Sequence, residues 1–170
     1  MELKNTIREI PDWPKKGIVF KDITTLLKDP AAFASAADQI YDQVKDLGVT
    51  KVASIESRGF ILGGALALKL NAGFIPVRKP NKLPADTVKI QYQLEYGTDT
   101  LEMHRDAIIP GDKVLLHDDV LATGGTAAAT VSLIEQLGGK VVGCSFIIEL
   151  GFLNGASKLG GQKIFSLLKY

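Results

Sequence analysis

Two adjacent carboxylates, Asp118 and Asp119, follow the strand-like run KVLLH and stand directly before a turn of small residues. Burying such a pair at a strand end is costly unless positive charges or hydrogen-bonding groups offset it. The turn ATGGT at 122–126 offers backbone N–H groups, threonine hydroxyls and a helix N-terminus, which together suit a phosphate. The acids can then accept hydrogen bonds from hydroxyls of a sugar joined to that phosphate, or help hold a hydrated Mg²⁺.

Residues 118–126 predict a site for a phosphorylated pentose. The alternative is that the acids only cap the helix and the turn is flexible, with no ligand bound. This stretch lacks the lysine of the GxxxxGK[ST] phosphate loop. One residue before the acids, His117 is predicted to point away from Asp118 and to be a neutral, buried structural residue. The members of the candidate site are Asp118, Asp119, Ala122, Thr123, Gly124, Gly125 and Thr126.

A second polar group follows the strand-like run KVASIE at 51–56 and opens a predicted helix. It can offer N–H groups, a hydroxyl and a guanidinium to a pyrophosphate, and the planar fork of arginine grips phosphate oxygens in pairs. The alternative is that Arg58 is an ordinary surface residue with no ligand. The group consists of Glu56, Ser57, Arg58 and Gly59, with Lys79 and Lys82 as further cations suited to a donor with several phosphates.

The elements that must position these groups alternate between strand-like and helix-like stretches, which predicts an α/β domain with a mainly parallel sheet. Right-handed crossovers are expected, and ligands of such sheets bind at the carboxyl ends of the strands. The first long helix is predicted to begin at an Asp29 cap and to end at Gly48. Strands are predicted at 51–56, 73–78, 113–118, 140–150 and 163–169, and helices at 59–70, 126–138 and within 152–159.

One interval, 80–107, separates two predicted core strands without a crossover helix. Alternation in VKIQYQLEY and TLEMH on either side of Gly97-Thr98-Asp99 predicts a hairpin. An insertion of this length over a sheet is typical of an active-site lid, with a decorative surface hairpin as the alternative. No repeat or low-complexity linker interrupts the chain, so a single domain over 1–170 is expected.

Composition excludes several classes of protein. The 170 residues carry 20 Lys and Arg against 19 Asp and Glu, so no bulk charge favours nucleic acid or an anionic membrane. No signal peptide or membrane span is expected, and the predicted location is the cytoplasm. The single cysteine, Cys144, lies in the apolar run VVGCSFII and is predicted to be a buried, inert thiol.

The stretch from Asp118 to Thr126 resembles the 5-phosphoribosyl 1-diphosphate (PRPP) signature of type I phosphoribosyltransferases, except that His117 replaces their usual aliphatic residue. Four further segments resemble the adenine phosphoribosyltransferase family in order and spacing, and the likeness runs from about Ile10 to the C-terminus. These segments are GIVFKDITTLL (17–27), ESRGF (56–60), RKPNKLP (78–84) and YQLEYGTDTLEMH (92–104). The resemblance implies the type I phosphoribosyltransferase fold, a mainly parallel central sheet flanked by helices, with an N-terminal hood at about 1–28 and a flexible hairpin lid at about 80–107.

The resemblance also implies how a base is bound. Phe20 would stack on a planar purine, and the backbones of Val19 and Lys21 would read its hydrogen-bonding edge. Glu95 matches a glutamate that lies near N7 of the base, where a carboxyl can offset the loss of the N9 proton. Glu102 is the rival carboxylate and is expected to be solvated.

Three structural details follow from the same resemblance. Tyr96 would shield the reacting centre from water or pack in the lid. A cis peptide is expected at Glu56–Ser57. Arg78 would contact either the donor or a neighbouring subunit, because members of the family usually act as homodimers.

The implied reaction is adenine + PRPP → AMP + pyrophosphate, a step of purine salvage, with Mg²⁺ bound through PRPP and no dedicated protein site for the metal. Neither nucleic acid nor a membrane is an expected partner. A phosphoribosyltransferase for xanthine or hypoxanthine is the nearest alternative, although no lysine for a 6-oxo group can be assigned. A non-catalytic PRPP-sensing regulator is the alternative from another class, and a generic flavodoxin-like phosphate binder is the weakest.

Overall fold

A computed structural model describes residues 2–94 and 96–170, which divide into two compact units, one ending at Gln39 and one running from Ile40 to Tyr170. In the first unit, β1 and β2 pair antiparallel with Arg8 opposite Asp22, and Nη2 of Arg8 lies 2.6 Å from Oδ2 of Asp22. This ion pair joins the two strands at the open end of the hairpin. The elements of the unit are a 3₁₀ turn (Leu3–Thr6), β1 (Arg8–Pro11), β2 (Val19–Asp22), α1 (Thr24–Leu27) and the start of α2 (Pro30–Val44).

Helix α2 begins as its sequence predicts. Oδ1 of Asp29 accepts hydrogen bonds from the N–H groups of Ala31 and Ala32 at 2.9 and 3.0 Å, which satisfies donors that the first turn leaves unpaired. The fully buried side chains recur every four residues and give the helix one apolar face: Ala32, Ala36, Ile40 and Val44. After a 3₁₀ turn at Lys45–Leu47, Gly48 ends the run with a φ of 69°.

The second unit holds a five-stranded, entirely parallel sheet in the order β4-β3-β7-β8-β9. The predicted mainly parallel sheet is therefore confirmed. The strands of the unit are β3 (Lys51–Ile55), β4 (Gly73–Val77), β5 (Thr87–Gln93), β6 (Thr98–His104), β7 (Lys113–Leu121), β8 (Lys140–Glu149) and β9 (Ile164–Lys169). Its α-helices beyond α2 are α3 (Gly59–Lys69) and α4 (Gly125–Gln136), and 3₁₀ turns cover Gly151–Leu153 and Gly155–Leu159.

The direction in which the chain adds strands to the sheet reverses between β3 and β7, and this position is called the switch point. From β3 the chain crosses through α3 to β4 on one side, and from β7 it crosses through α4 to β8 on the other. Right-handed crossovers in opposite directions place the two helices on opposite faces of the sheet. Ligands bind in the crevice that such a reversal leaves at the carboxyl ends of the strands.

Strand β7 is longer than predicted. It continues to Leu121 instead of ending at Asp118, because Val120 and Leu121 pair with Ile148 and Glu149 of the long neighbour β8. The acid pair therefore lies within the last part of a central strand, and the turn begins only at Ala122.

The interval 80–107 contains the predicted hairpin, in which β5 and β6 pair antiparallel. Two side chains of β6, Leu101 and Met103, are fully buried in the same apolar cluster as Leu116 of β7 and Leu133 of α4. Truncating either would cost roughly 2–5 kcal/mol. The base of the hairpin is thus part of the core through the buried side chains of β6.

The expectation that Cys144 is a buried thiol is confirmed. Cys144 is fully buried, and desolvation raises the pKa of its thiol to about 12, which leaves it protonated and inert. None of the helices in residues 2–94 and 96–170 has the length and apolarity needed to cross a bilayer.

Candidate active site

The two candidate groups of the second unit meet at the switch point. A cavity of about 440 Å³ opens there at the carboxyl ends of β3 and β7. The residues predicted to bind pyrophosphate follow the end of β3. The residues predicted to bind ribose lie at the end of β7. The residues that line the cavity are Ile55, Glu56, Ser57, Arg58, Lys79, Asp118, Asp119, Val120 and Thr126.

The carboxyl groups of Asp118 and Asp119 lie in different electrostatic environments. Asp119 is 6% exposed, and its Oδ2 accepts a hydrogen bond from Nε of Arg58 at 2.5 Å. Burial raises the pKa of Asp118 well above its usual value, and the neighbouring charge of Asp119 raises it further. The backbone N–H of Asp119 donates to Oδ1 of Asp118 at 2.8 Å. One carboxylate is thus held by a guanidinium, while the other is ready to take up a proton or a hydroxyl partner.

Asp118 also lies against the start of α3. A Cβ atom on Gly59 would come within 2.8 Å of Oδ1 of Asp118, so the absence of a side chain at Gly59 lets the carboxylate approach the helix. The residues predicted to bind pyrophosphate therefore contact the residues predicted to bind ribose in two ways. Gly59 packs against Asp118, and Arg58 pairs with Asp119.

The turn after β7 forms a smaller hollow of about 80 Å³. Gly124 caps α4 with a φ of 83°, a left-handed conformation that glycine adopts without a steric penalty. Of the predicted phosphate residues, Ala122, Thr123, Gly124 and Thr126 line the hollow, together with Asp118, and Gly125 begins the helix.

A residue missed by the sequence analysis supports this turn. A Cβ atom on Gly155 would lie 2.3 Å from the carbonyl oxygen of Ala122, and one on Gly124 would lie 2.3 Å from the carbonyl oxygen of Gly155. The two backbones touch because both residues lack side chains. The only hint in the sequence is an Asn-Gly pair at 154–155, which predicts a turn but not its neighbour.

The cations are distributed around Glu56. The Glu56–Ser57 peptide bond is cis, as the resemblance implies. Oε1 of Glu56 accepts a hydrogen bond from the backbone N–H of Lys79 at 2.7 Å and lies 3.3 Å from Nε of Arg78. The ammonium group of Lys79 pairs with Asp99 of the hairpin. Lys82 is exposed and is not among the residues that line the cavity.

Two hairpin residues that sequence reasoning overlooked face the phosphate turn. Tyr92 and Asp99 are directly opposite each other in the β5–β6 ladder. Oη of Tyr92 lies 3.2 Å from Oγ1 of Thr126 and 3.4 Å from Oδ2 of Asp99. Counting cross-strand pairs outward from the turn near Gly97 would have predicted the pairing of Tyr92 with Asp99. It would not have predicted the contact of Tyr92 with Thr126.

Predictions for the hairpin have mixed outcomes. Glu95, the predicted acid/base, lies outside the described residues. Tyr96 is 81% exposed near the turn. The expectation that Glu102 is solvated is wrong: the residue is buried, because its backbone forms a two-way bridge with Arg78 and draws it against the core.

His117 matches its prediction. It is fully buried, and its Nδ1 lies 2.9 Å from Oγ of Ser145 on the neighbouring strand β8. Desolvation lowers its pKa to about 4, although the charge of Asp119 opposes the shift. The ring is therefore neutral at physiological pH, and it supports the sheet behind the acid pair.

The residues predicted to bind a base lie in the first unit. Val19, Phe20 and Lys21 are consecutive in β2, and Val19 is half exposed. The ring of Phe20 packs edge-on against Trp13 at a centroid distance of 4.5 Å, and Lys21 pairs with Glu9. Trp13 was not singled out from the sequence; aromatic rings favour such edge-to-face contacts, and this one orients the ring of Phe20.

Comparison with known proteins assigns this architecture to a class. The sequence profile of the phosphoribosyl transferase domain matches residues 22–158. The chain therefore belongs to the phosphoribosyl transferase family, whose fold the resemblance predicted.

Relatives that match over the whole length carry a more specific name. The adenine phosphoribosyltransferase of Alkaliphilus metalliredigens is 58% identical over 170 residues, which cover 100% of both chains. The crystal structure of adenine phosphoribosyltransferase from Thermoanaerobacter pseudethanolicus has a TM-score of 0.96 at 51% identity and covers 99% of this chain and 98% of its own. The Saccharomyces cerevisiae enzyme, solved with an imino-altritol bisphosphate and adenine, has a TM-score of 0.92 at 39% identity and covers 98% of this chain and 97% of its own.

Proposed function

We propose that this chain transfers the phosphoribosyl group of PRPP to adenine, forming AMP and pyrophosphate. The observation that carries the proposal is the order of the groups around the switch point. The phosphate turn, the acid pair and the stretch ESRG follow one another in the order in which PRPP joins its 5-phosphate, ribose and pyrophosphate. A single donor molecule can therefore contact all three groups.

The choice of adenine rests on the relatives. Those that match the full length are named for adenine, and one solved neighbour contains it. We assign base binding to β2, with Phe20 stacking on the purine and the backbones of Val19 and Lys21 reading its edge. Backbone groups supply both a donor and an acceptor, as the amino group and the adjacent ring nitrogen of adenine require.

The chemistry follows from the charges. As the bond between C1 of the ribose and the pyrophosphate oxygen breaks, positive charge grows on the sugar. The carboxylate of Asp119 and, when ionised, that of Asp118 favour that state while they hold the ribose hydroxyls. Arg58 and Lys79 stabilise the negative charge on the departing pyrophosphate. N9 of adenine then attacks C1 from the opposite face, and Glu95 near N7 offsets the loss of the N9 proton.

The chain fits a magnesium ion that arrives with the donor. No group of three or more acidic, histidine or cysteine side chains gathers as a metal site within residues 2–94 and 96–170. Two carboxylates do share the cavity, and Mg²⁺ is commonly held by one or two carboxylates plus substrate phosphates. Asp118 and Asp119 would hold it, and the bound ion would neutralise phosphate charge. We assign Arg78 either to the donor or to a neighbouring subunit of a homodimer, and we place the reaction in purine salvage in the cytoplasm.

The test is pyrophosphate release from Mg²⁺ and PRPP with adenine, hypoxanthine, guanine and xanthine offered separately. Release with adenine alone is expected, and Asp119→Asn should reduce it strongly without unfolding the chain. Release only with a 6-oxopurine would contradict the roles given to Phe20 and its neighbours. PRPP binding without release in the presence of any base would make the chain a PRPP-sensing regulator.

A further inference from the structure

The segment 12–18, which joins β1 to β2, holds Trp13 in place. The backbone N–H of Trp13 donates to the carbonyl oxygen of Ile18 at 3.2 Å, and the N–H of Ile18 donates to the carbonyl oxygen of Lys15 at 3.2 Å. Oδ1 of Asp12 accepts a hydrogen bond from the backbone N–H of Gly17 at 2.6 Å. Because a side-chain bond of this kind stabilises a turn, the segment favours one backbone conformation over those of an open loop.

The ring of Trp13 in turn restrains the ring of Phe20 in β2. The ring centroids are 4.5 Å apart and the ring planes meet at 67°, an edge-to-face arrangement that aromatic pairs prefer. A neighbour in such a contact restricts rotation about the bond between Cβ and the ring, which is otherwise a broad torsion in phenylalanine. The direction in which Phe20 presents its ring therefore depends on Trp13.

Burial in the core does not explain why a tryptophan occupies position 13. The residue is 50% exposed, and Ile18 and Val19 beside it are about half exposed as well. In contrast, Ile23 and Leu26 of the same unit are buried. The end of the β1–β2 hairpin thus carries a group of exposed apolar side chains, and such groups commonly mark a surface that binds a ligand.

We propose that Trp13 is a positioning residue for the base, which acts through Phe20 by holding its ring in the orientation that stacks on adenine. This role rests on the proposed function, because it requires that Phe20 bind the base. Trp13 lies outside β2 and takes no part in binding PRPP. Its loss should therefore weaken binding of the base and leave binding of the donor unchanged.

The test compares the KM for adenine, the KM for PRPP and kcat in the wild type, Trp13→Leu and Trp13→Phe. In Trp13→Leu the KM for adenine is expected to rise about two- to tenfold, the range that one aromatic pair supports, while the KM for PRPP stays within error. Trp13→Phe keeps an aromatic ring and should recover most of the loss. Phe152→Leu is the matched control, since it also replaces an exposed aromatic ring with leucine but lies in the second unit.

A double-variant cycle tests whether Trp13 acts through Phe20. Phe20→Leu removes the ring that Trp13 holds, so Trp13→Leu should raise the KM for adenine in the wild type but not in the Phe20→Leu background. Equal increases in both backgrounds would overturn the positioning role, and so would an equal rise in the KM for PRPP. A KM for adenine in Trp13→Leu that matches the wild type would overturn it as well.

Trp13 is the single tryptophan of the chain, so its fluorescence gives a readout that does not depend on turnover. AMP brings a base to Phe20 and should change the emission of Trp13, whereas ribose 5-phosphate, which lacks the base, should not. The change with AMP should shrink in Phe20→Leu. Equal changes with both compounds would overturn the positioning role alone. A wild type that releases no pyrophosphate with adenine would instead overturn the proposed acceptor, and the role of Trp13 with it.

Discussion

Arg58 and Asp119 face each other across the switch point, with Nε of Arg58 2.5 Å from Oδ2 of Asp119. One residue follows β3 and the other lies in β7, so a single contact joins the ends of the two strands between which the strand order reverses. The pair couples the group assigned to pyrophosphate to the group assigned to ribose. Arg58 therefore positions an acid in addition to any contact with the donor.

Replacing Arg58 with lysine should lower kcat/KM for PRPP by about 10- to 100-fold, although the positive charge is kept. An ammonium group lacks the planar fork that can hold Asp119 and a phosphate oxygen together, and hydrogen bonds to charged groups contribute about 1.5–3 kcal/mol. Steady-state pyrophosphate release measures the effect. Arg105→Lys is the control because that arginine is exposed and its side chain donates to the backbone carbonyl oxygen of Thr87 rather than to a carboxylate. Equal losses in both variants would argue against a specific role for the fork.

Glu95→Gln should reduce kcat by about 10²–10⁴-fold while leaving the Kd for PRPP near its wild-type value. The amide cannot offset the charge change when N9 of adenine loses its proton, but it alters no proposed donor contact. Single-turnover kinetics and direct PRPP binding separate the two effects. Glu135→Gln, on the exposed surface of α4, is the matched control. A variant with normal kcat would remove Glu95 from the mechanism.

Gly155→Ala should damage the phosphate turn from outside the PRPP signature. The new Cβ would lie 2.3 Å from the carbonyl oxygen of Ala122, and overpacking of this kind costs about 1–3 kcal/mol. The KM for PRPP should rise and the unfolding midpoint should fall. Gly64→Ala is the control, since a Cβ there meets no atom within 4 Å. Unchanged KM and stability in Gly155→Ala would show that the two backbones can separate freely.

His117 should make the folded chain sensitive to acid. Its pKa falls from 6.5 to about 4 on burial, so the unfolded chain binds the proton first as the pH drops. The stability due to the neutral ring is present above pH 6.5, declines as the pH falls to about 4, and amounts to about 3 kcal/mol. His117→Leu should flatten this part of the curve of unfolding free energy against pH. An unchanged slope in His117→Leu would contradict the assignment.

Much of the fold could be predicted because its signals are local. The Asp29 cap, the left-handed Gly48 and the apolar strands depend on residues within a turn or two of one another. Prediction was weaker where a distant partner decides the structure. Strand β7 runs on to Leu121 because the length of β8 supports it, and Glu102 is buried because Arg78 bridges its backbone.

By itself the sequence predicted the ligand types of the candidate site, because a paired acid suits sugar hydroxyls, a glycine turn suits a phosphate and an arginine after a strand suits a pyrophosphate. Only the tertiary structure decided which of these groups contact one another. The pairing of Arg58 with Asp119, the contact of Gly155 with Ala122 in the phosphate turn and the link of Tyr92 to Thr126 join residues that are 61, 33 and 34 positions apart in the chain. Such contacts depend on strand order and crossover direction, which bring distant segments to one edge of the sheet and leave no local pattern in the chain.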